Sequence, residues 1–419
     1  MTATDPAANP AASPTTPTLA SIQSQRLAAL PTYLFHRLDK AKADYRARGP
    51  GEPLIDLGVG DPDRPTPDFI VSALRQAVKD PTTHRYPASK GSQKFRQAAA
   101  RFMERRFGVQ VDADRHVLAC IGSKEGIAHL PLAVVDPGRP VLCPSLGYPV
   151  YHAGAILADA KPVSMPMRAA SGWTPLWEEL APADVENAAL MWVNYPNNPT
   201  GASVPLDFYS QAANFAREHG IILASDQAYS ELYYEKDTPD SLWKADGTDI
   251  ERDPFIEFHS LSKGFNMTGW RIGFAVGNQA VIDALAKAKG PIDSGAFTAV
   301  QEAGIVALEN YDHDDMDALR AMYVQRLDAT MEGVKKIGAK AERPRAGLFV
   351  WAQCPAGKGG APMESWDFAM RCIERAGVSL VPGAGFGEDG TSWFRIAMTV
   401  EAERIAEAFD RVAKIDWGK

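Results

Sequence analysis

Short apolar runs, several of them continuously apolar, recur between residues 115 and 280, each followed by a turn or a longer amphipathic stretch. They fall at 117–121, 140–144, 162–167, 189–194, 221–225, 255–258 and 271–276. Runs that do not alternate with polar residues suit strands covered on both faces, as in a mostly parallel sheet. Between two of them, 206–218 carries Phe208, Ala212, Phe215 and Ala216 near helical spacing, and His219-Gly220 closes that helix. The pattern predicts an α/β layered domain. Beyond about residue 300 it changes to a long helix at 314–337, strand-like runs at 347–352 and 393–398, and a last helix at 401–414. That reads as a second, smaller α+β unit.

The expected division is a disordered tail at 1–20, an arm at 21–60 packing with the second unit, a large domain at 61–297 and a small domain at 298–419. The tail is rich in Ala, Thr and Pro, with little to bury. It lacks the basic start and apolar centre of a secretory signal. No stretch approaches the roughly 18 apolar residues of a membrane span. Forty-four basic against 52 acidic residues give a net charge of -8, with no basic block to neutralise a nucleic-acid backbone. Cys120, Cys143, Cys354 and Cys372 are scattered, which fits reduced thiols in a cytoplasmic protein. The eight histidines form neither a His-Glu-x-x-His motif nor a Cys/His cluster, so no metal is expected.

Ligands of open α/β sheets gather at the carboxyl ends of the strands. Gly122-Ser123-Lys124 follows the first run and Gly147-Tyr148-Pro149 the second. Asn197-Asn198-Pro199-Thr200-Gly201, Asp226-Gln227-Ala228-Tyr229 and Ser260-Leu261-Ser262-Lys263 follow later ones. Taken singly, each has an ordinary reading: Lys263 a surface charge, Asp226 a helix cap, the Asn-Pro-Gly segment a tight turn. Taken together on one rim, they describe an anionic, ring-shaped ligand. A buried lysine near another cation has a lowered pKa and can form an imine with an aldehyde. Arg271, with Ser260 and Ser262, could hold a phosphate. Asp226 could pair with a pyridinium nitrogen and keep the ring an electron sink. Asn198 and Tyr229 could reach a ring oxygen, and Tyr148 could stack on the ring. Ser123 opens a helix whose free N–H groups favour phosphate. Arg395, inside an apolar run, wants a carboxylate, either a substrate's or an internal one.

These segments, continued through Gly269-Trp270-Arg271-Ile272-Gly273, resemble the signature of class I/II aminotransferases of fold type I. Leu57-Gly58-Val59-Gly60-Asp61-Pro62-Asp63, His84-Arg85-Tyr86-Pro87 and Ile121 to Pro131 are most similar to the LL-diaminopimelate aminotransferase family. The resemblance implies a mostly parallel seven-stranded sheet in the large domain and pyridoxal 5'-phosphate as cofactor. It makes Lys263 the Schiff-base lysine and proton carrier, and Asp226 the partner of the pyridine nitrogen. Asn198 and Tyr229 bind the ring oxygen, Tyr148 stacks, and Ser123, Lys124, Ser260, Ser262 and Arg271 surround the phosphate. Tyr86 reaches the other subunit's phosphate, which implies a homodimer. Arg395 takes the α-carboxylate, while Tyr33 and Gly60, with Lys124, Tyr148 and Asn198, line the substrate pocket.

Two segments depart from that family. Pro87-Ala88-Ser89-Lys90 stands where an acidic residue follows the tyrosine, and Asp293-Ser294-Gly295 where a substrate-binding asparagine is expected. The expected reaction exchanges LL-2,6-diaminopimelate and 2-oxoglutarate with tetrahydrodipicolinate and glutamate, in lysine biosynthesis. A general alanine or aspartate aminotransferase is the alternative, and a non-enzymatic binding protein on the same fold a more distant one. Ser260-x-x-Lys263 also matches serine acyl enzymes, but their Ser-Asp-Asn and Lys-Thr-Gly partners do not occur.

Overall fold

The computed structural model describes residues 22–31, 35–49, 51–234, 238–357 and 359–417. The tail at 1–20 and Tyr33 lie outside them. The strands in chain order are β1 (Ile55–Asp56), β2 (Val117–Cys120), β3 (Pro140–Pro144), β4 (Lys161–Met165), β5 (Leu190–Asn194), β6 (Ile222–Asp226) and β7 (Ile256–Ser260). They continue with β8 (Gly273–Gly277), β9 (Lys340–Ala341), β10 (Phe349–Gln353), β11 (Val378–Ser379), β12 (Val381–Pro382) and β13 (Trp393–Ala397).

Seven strands form one sheet in the order β2-β8-β7-β6-β5-β3-β4. Only β8 runs against its neighbours. Its first residue therefore lies on the same rim as the last residues of β2, β5, β6 and β7. Both faces are covered, so the strands need no polar side. Leu118, Leu190, Trp192, Phe258 and Ala275 pack in one core cluster; Val117, Met191, Val193, Leu223 and Phe274 pack in another. The helix Leu206–His219 buries Phe208, Ala212 and Ala216 and ends on Gly220 at φ 64°, a left-handed cap that glycine adopts without strain.

The run at 271–276 starts its strand two residues later than the pattern predicts. Arg271 sits in a left-handed turn at φ 55° after the short helix Thr268–Trp270. The strand opens on Gly273 because a Cβ there would lie 2.6 Å from the His259 carbonyl oxygen. Conversely, β6 and β7 extend to Asp226 and Ser260, so these residues are strand ends rather than loop residues.

In the C-terminal part, β12-β13-β10-β9 form an antiparallel sheet. Helices Asp314–Lys336 and Ala402–Ala413 pack closely where Gly333 meets Phe409; a Cβ at Gly333 would come within 2.1 Å of that ring. Residues 22–60 divide between the two regions. The turn of helix Gln25–Ala28 contacts helix Val150–Leu157, beside the large sheet. Strand β1 pairs in parallel with β11, and Tyr45 of helix Phe35–Ala47 lies under Gly377.

Candidate active site

Five strand ends and the C-terminal sheet enclose a cavity of about 790 Å³. Ser123, Lys124, Tyr148, Asn198, Asp226, Tyr229, Ser260, Ser262, Lys263, Arg271, Arg395 and Gly60 all line it. Tyr86 does not; its side chain is 91% exposed on the protein surface.

Lys263 follows the end of β7 in the one-turn helix Leu261–Gly264, which Ser260 caps by accepting from the Ser262 N–H at 3.2 Å. Its Nζ donates to the Gly60 carbonyl at 2.6 Å. Burial lowers the amine to about 8. Asp61 opposes that shift, while Arg395 and Arg271 add to it. The reading of Lys263 as a solvated surface charge therefore fails.

Asp226, 4% exposed, ends β6 on the cavity floor. Burial raises its carboxyl to about 6, although it accepts hydrogen bonds from the Tyr151 hydroxyl at 2.7 Å and the Ala228 N–H at 3.1 Å. The second bond closes a turn, not the start of a helix. Sequence reasoning gave Tyr151 no role. Its ring stacks on Trp192 at 5.0 Å, and that packing aims the hydroxyl. Tyr151 lies three residues after Tyr148, across the turn that opens helix Val150–Leu157, where its N–H donates to the Tyr148 carbonyl at 3.1 Å.

Tyr229 is hydrogen-bonded to Asn198, and burial pushes its phenol up. The Asn-Asn-Pro-Thr-Gly segment is both a turn and a binding element. Asn197 Oδ1 accepts from the Thr200 N–H and hydroxyl, while Asn198 Oδ1 accepts from Arg395 Nη1 at 2.8 Å. Arg395 Nη2 also donates to the Gly58 carbonyl at 2.7 Å, and its guanidinium lies 4.2 Å from the Phe349 ring centroid and 4.9 Å from that of Phe386. These aromatics were not foreseen either. Phe349 additionally explains Gly60, where a Cβ would lie 2.6 Å from its ring.

The anion cup is assembled where the end of β2 and the start of β8 meet on one rim. Helix Ser123–Val134 starts after Gly122 at φ 74°. A Cβ on Gly122 would lie 2.4 Å from Arg271 Nη2, so the backbone turn and the guanidinium are built against each other. Arg271 is oriented by donating from Nη1 to the Thr268 carbonyl at 2.7 Å. Beyond the cavity, Asp293, at one of the two departures, binds Lys289 at 3.1 Å and accepts from the Gly295 N–H at 2.8 Å.

A pyridoxal phosphate fits this donor set. Gly122, Ser123, Ser260, Ser262 and Arg271 offer phosphate donors, the uncompensated buried carboxyl of Asp226 suits a ring cation, and Lys263 offers an amine of lowered pKa. The fold and site define a pyridoxal phosphate-dependent aminotransferase of fold type I. The family model for aminotransferase class I and II matches residues 52–412, and the chain belongs to that family. LL-diaminopimelate aminotransferases of Nitratidesulfovibrio vulgaris and Aquifex aeolicus are each 44% identical, over 393 and 392 residues, or 94% of this chain and 98% of theirs. Among solved structures, substrate-bound BacF of Bacillus subtilis aligns with a TM-score of 0.86 at 34% identity, over 94% of this chain and 97% of that one. A Thermus thermophilus aspartate aminotransferase mutant aligns at 0.85 and 28%, over 94% and 99%.

Proposed function

We propose that the protein transfers an amino group between LL-2,6-diaminopimelate and 2-oxoglutarate, with tetrahydrodipicolinate and glutamate on the other side, as a step of lysine biosynthesis in the cytoplasm. The observation that carries this reading is the 44% identity to LL-diaminopimelate aminotransferases along 94% of the chain. No helix among the described residues is long and apolar enough to cross a membrane.

When bound, the cofactor supplies an electron sink for negative charge at the substrate α-carbon. The chain does the rest. Lys263 Nζ takes the proton from the α-carbon of the amino donor in one half-reaction and supplies one to the α-carbon of the new amino acid in the other, leaving its bond to the Gly60 carbonyl to do so. An amine lowered to about 8 is partly unprotonated near neutrality, as a base must be. Asp226 would hold the positive charge on the ring nitrogen, and Tyr151 keeps that carboxylate aimed. Asn198 and Tyr229 would bind the ring oxygen, and Tyr148 would cover the ring. Arg395 binds the α-carboxylate, with Phe349 and Phe386 excluding water around it. Ser123, Lys124, Ser260, Ser262 and Arg271 would take the phosphate; Lys124, Tyr148, Asn198 and Gly60 line the substrate's path. The enzyme works as a homodimer in which Tyr86 completes the other subunit's site, which accounts for an aromatic side chain left 91% exposed here. The large domain is 61–297, the small domain 298–419, and 21–60 form the arm.

Incubation of the holoenzyme with LL-diaminopimelate and 2-oxoglutarate should yield glutamate. Efficient use of alanine or aspartate with no use of LL-diaminopimelate would overturn the assignment. Mixing inactive Lys263→Ala and Tyr86→Ala proteins should restore activity through hybrid dimers; no recovery, with hybrids present, refutes the shared site.

A further inference from the structure

We infer that Asp61 is the residue that reads a second ammonium group on the amino donor, an added contact that strengthens the hold on diamino donors. This rests on the diamino-acid reading above and adds the group that enforces it.

Three carboxylates line the cavity among the described residues: Asp39, Asp61 and Asp226. Two are already engaged. Asp39 is paired with Lys42 at 2.7 Å, and Asp226 lies on the floor, held by Tyr151 and Ala228. Asp61 makes no side-chain hydrogen bond or ion pair with any described residue, and it is exposed to the cavity. The residue before it, Gly60, accepts from Lys263 Nζ at 2.6 Å, and both Asp61 and Lys263 line the cavity, so it lies on the reacting side.

An unpaired acid on a mobile loop would mean little. Here the chain on both sides of it is pinned. The Gly58, Val59 and Gly60 carbonyls accept from Arg395 at 2.7 Å, Thr399 at 2.7 Å and Lys263 at 2.6 Å. Two residues on, Asp63 takes a bidentate bond from buried Arg326, at 2.7 and 2.8 Å. A carboxylate fixed at both flanks is pre-organised to meet a charge, which is what specificity by ion pairing requires. The segment that carries Asp61 is the same one that carries the Arg395 contact. The α-carboxylate subsite and the second-ammonium subsite are thereby set at a fixed separation along one stretch of backbone. Glutamate, the partner substrate of the same cavity, has no second ammonium to offer Asp61 and is bound without that contact.

The test uses the wild-type holoenzyme and the variants Asp61→Asn and Asp61→Glu, with LL-diaminopimelate and glutamate as donors. Asp61→Asn should lower kcat/KM for diaminopimelate about tenfold or more while glutamate stays within about threefold or improves. Asp61→Glu should recover part of the loss, through KM rather than kcat. Equal losses for both donors, accompanied by a displaced pH titration of the visible absorbance of the lysine-bound cofactor, would show Asp61 acting through Lys263 and would overturn the inference. An unchanged donor preference overturns it as well. A wild-type protein that ignores diaminopimelate overturns the parent reading instead, and ornithine compared with alanine on the same three proteins then decides Asp61 separately.

Discussion

Asp226→Asn should stabilise the apoenzyme, and the gain should depend on pH in a defined direction. Asp226 is 4% exposed, and burial raises its pKa from 3.8 to about 6. The folded state therefore binds a proton more tightly than the unfolded chain. Stability contributed by this group is full below about pH 4 and falls as pH rises through the folded value. A shift of about two units corresponds to a penalty of about 3 kcal/mol once both states are ionised. Asparagine keeps the geometry: its oxygen can accept from Ala228, and its amide can donate to the Tyr151 oxygen. Urea unfolding of both apoproteins, compared across about pH 4 to 8, reads the difference; groups common to both proteins cancel. The advantage of the variant should grow by about 2.5 kcal/mol across that range, with the steepest change near pH 5. A flat difference, or one that shrinks as pH rises, would refute the argument that an uncompensated carboxylate is stored at this position. Adding cofactor should invert the ranking, because the wild-type carboxylate then gains the ring cation it lacks and the amide does not.

The amine of Lys263 should react with pyridoxal lacking its phosphate along a pH profile centred near 8 in the apoenzyme; a midpoint near 10.5 would mean that burial does not control it. Gly122→Ala places a Cβ against Arg271 at a left-handed φ, so cofactor dissociation measured by dialysis should rise about tenfold or more while catalytic steps on retained cofactor change little. Arg395→Lys loses the planar fork that serves Asn198 and Gly58, and kcat/KM should fall about 10- to 100-fold for every carboxylate substrate alike.

How much of this was legible in the sequence depends on whether the information is local. The apolar runs matched the seven strands to within a residue or two, because a strand buried on both faces is mostly apolar; buried polar residues such as Glu257 and His259 pair with each other instead. The polar residues after those runs could be grouped because the carboxyl ends of parallel strands share one rim. Arg271 was grouped correctly for a reason the run pattern did not contain: β8 is antiparallel, so its start, not its end, faces that rim. The same reversal explains the misplaced strand boundary, since an arginine in a left-handed turn before Gly273 looks like the first residue of an apolar run. The long-range partners were beyond reach. Nothing near Lys263 in sequence announces the Gly60 carbonyl 203 residues away, nor does Arg395 announce Phe349 or Asn198.

Those long-range contacts share a physical logic. Lys263 and Arg395 are cations facing a cavity meant for an anionic substrate, and each donates to a carbonyl of one short segment, at Gly60 and Gly58. Backbone carbonyls are neutral acceptors. They satisfy the donors without the cost of an ion pair, which a substrate would then have to break. A carboxylate arriving at Arg395 gains a charge-assisted bond in exchange for a neutral one. Lys263 gives up a single carbonyl contact to become a base. Had Lys263 been paired with an acid among the described residues, its release as a base would have had to break a fixed ion pair. Asp61 obeys the same rule from the opposite sign: it is held near Lys263 by its backbone and kept free of any ion pair with the described residues, so its charge remains available to whatever enters the cavity.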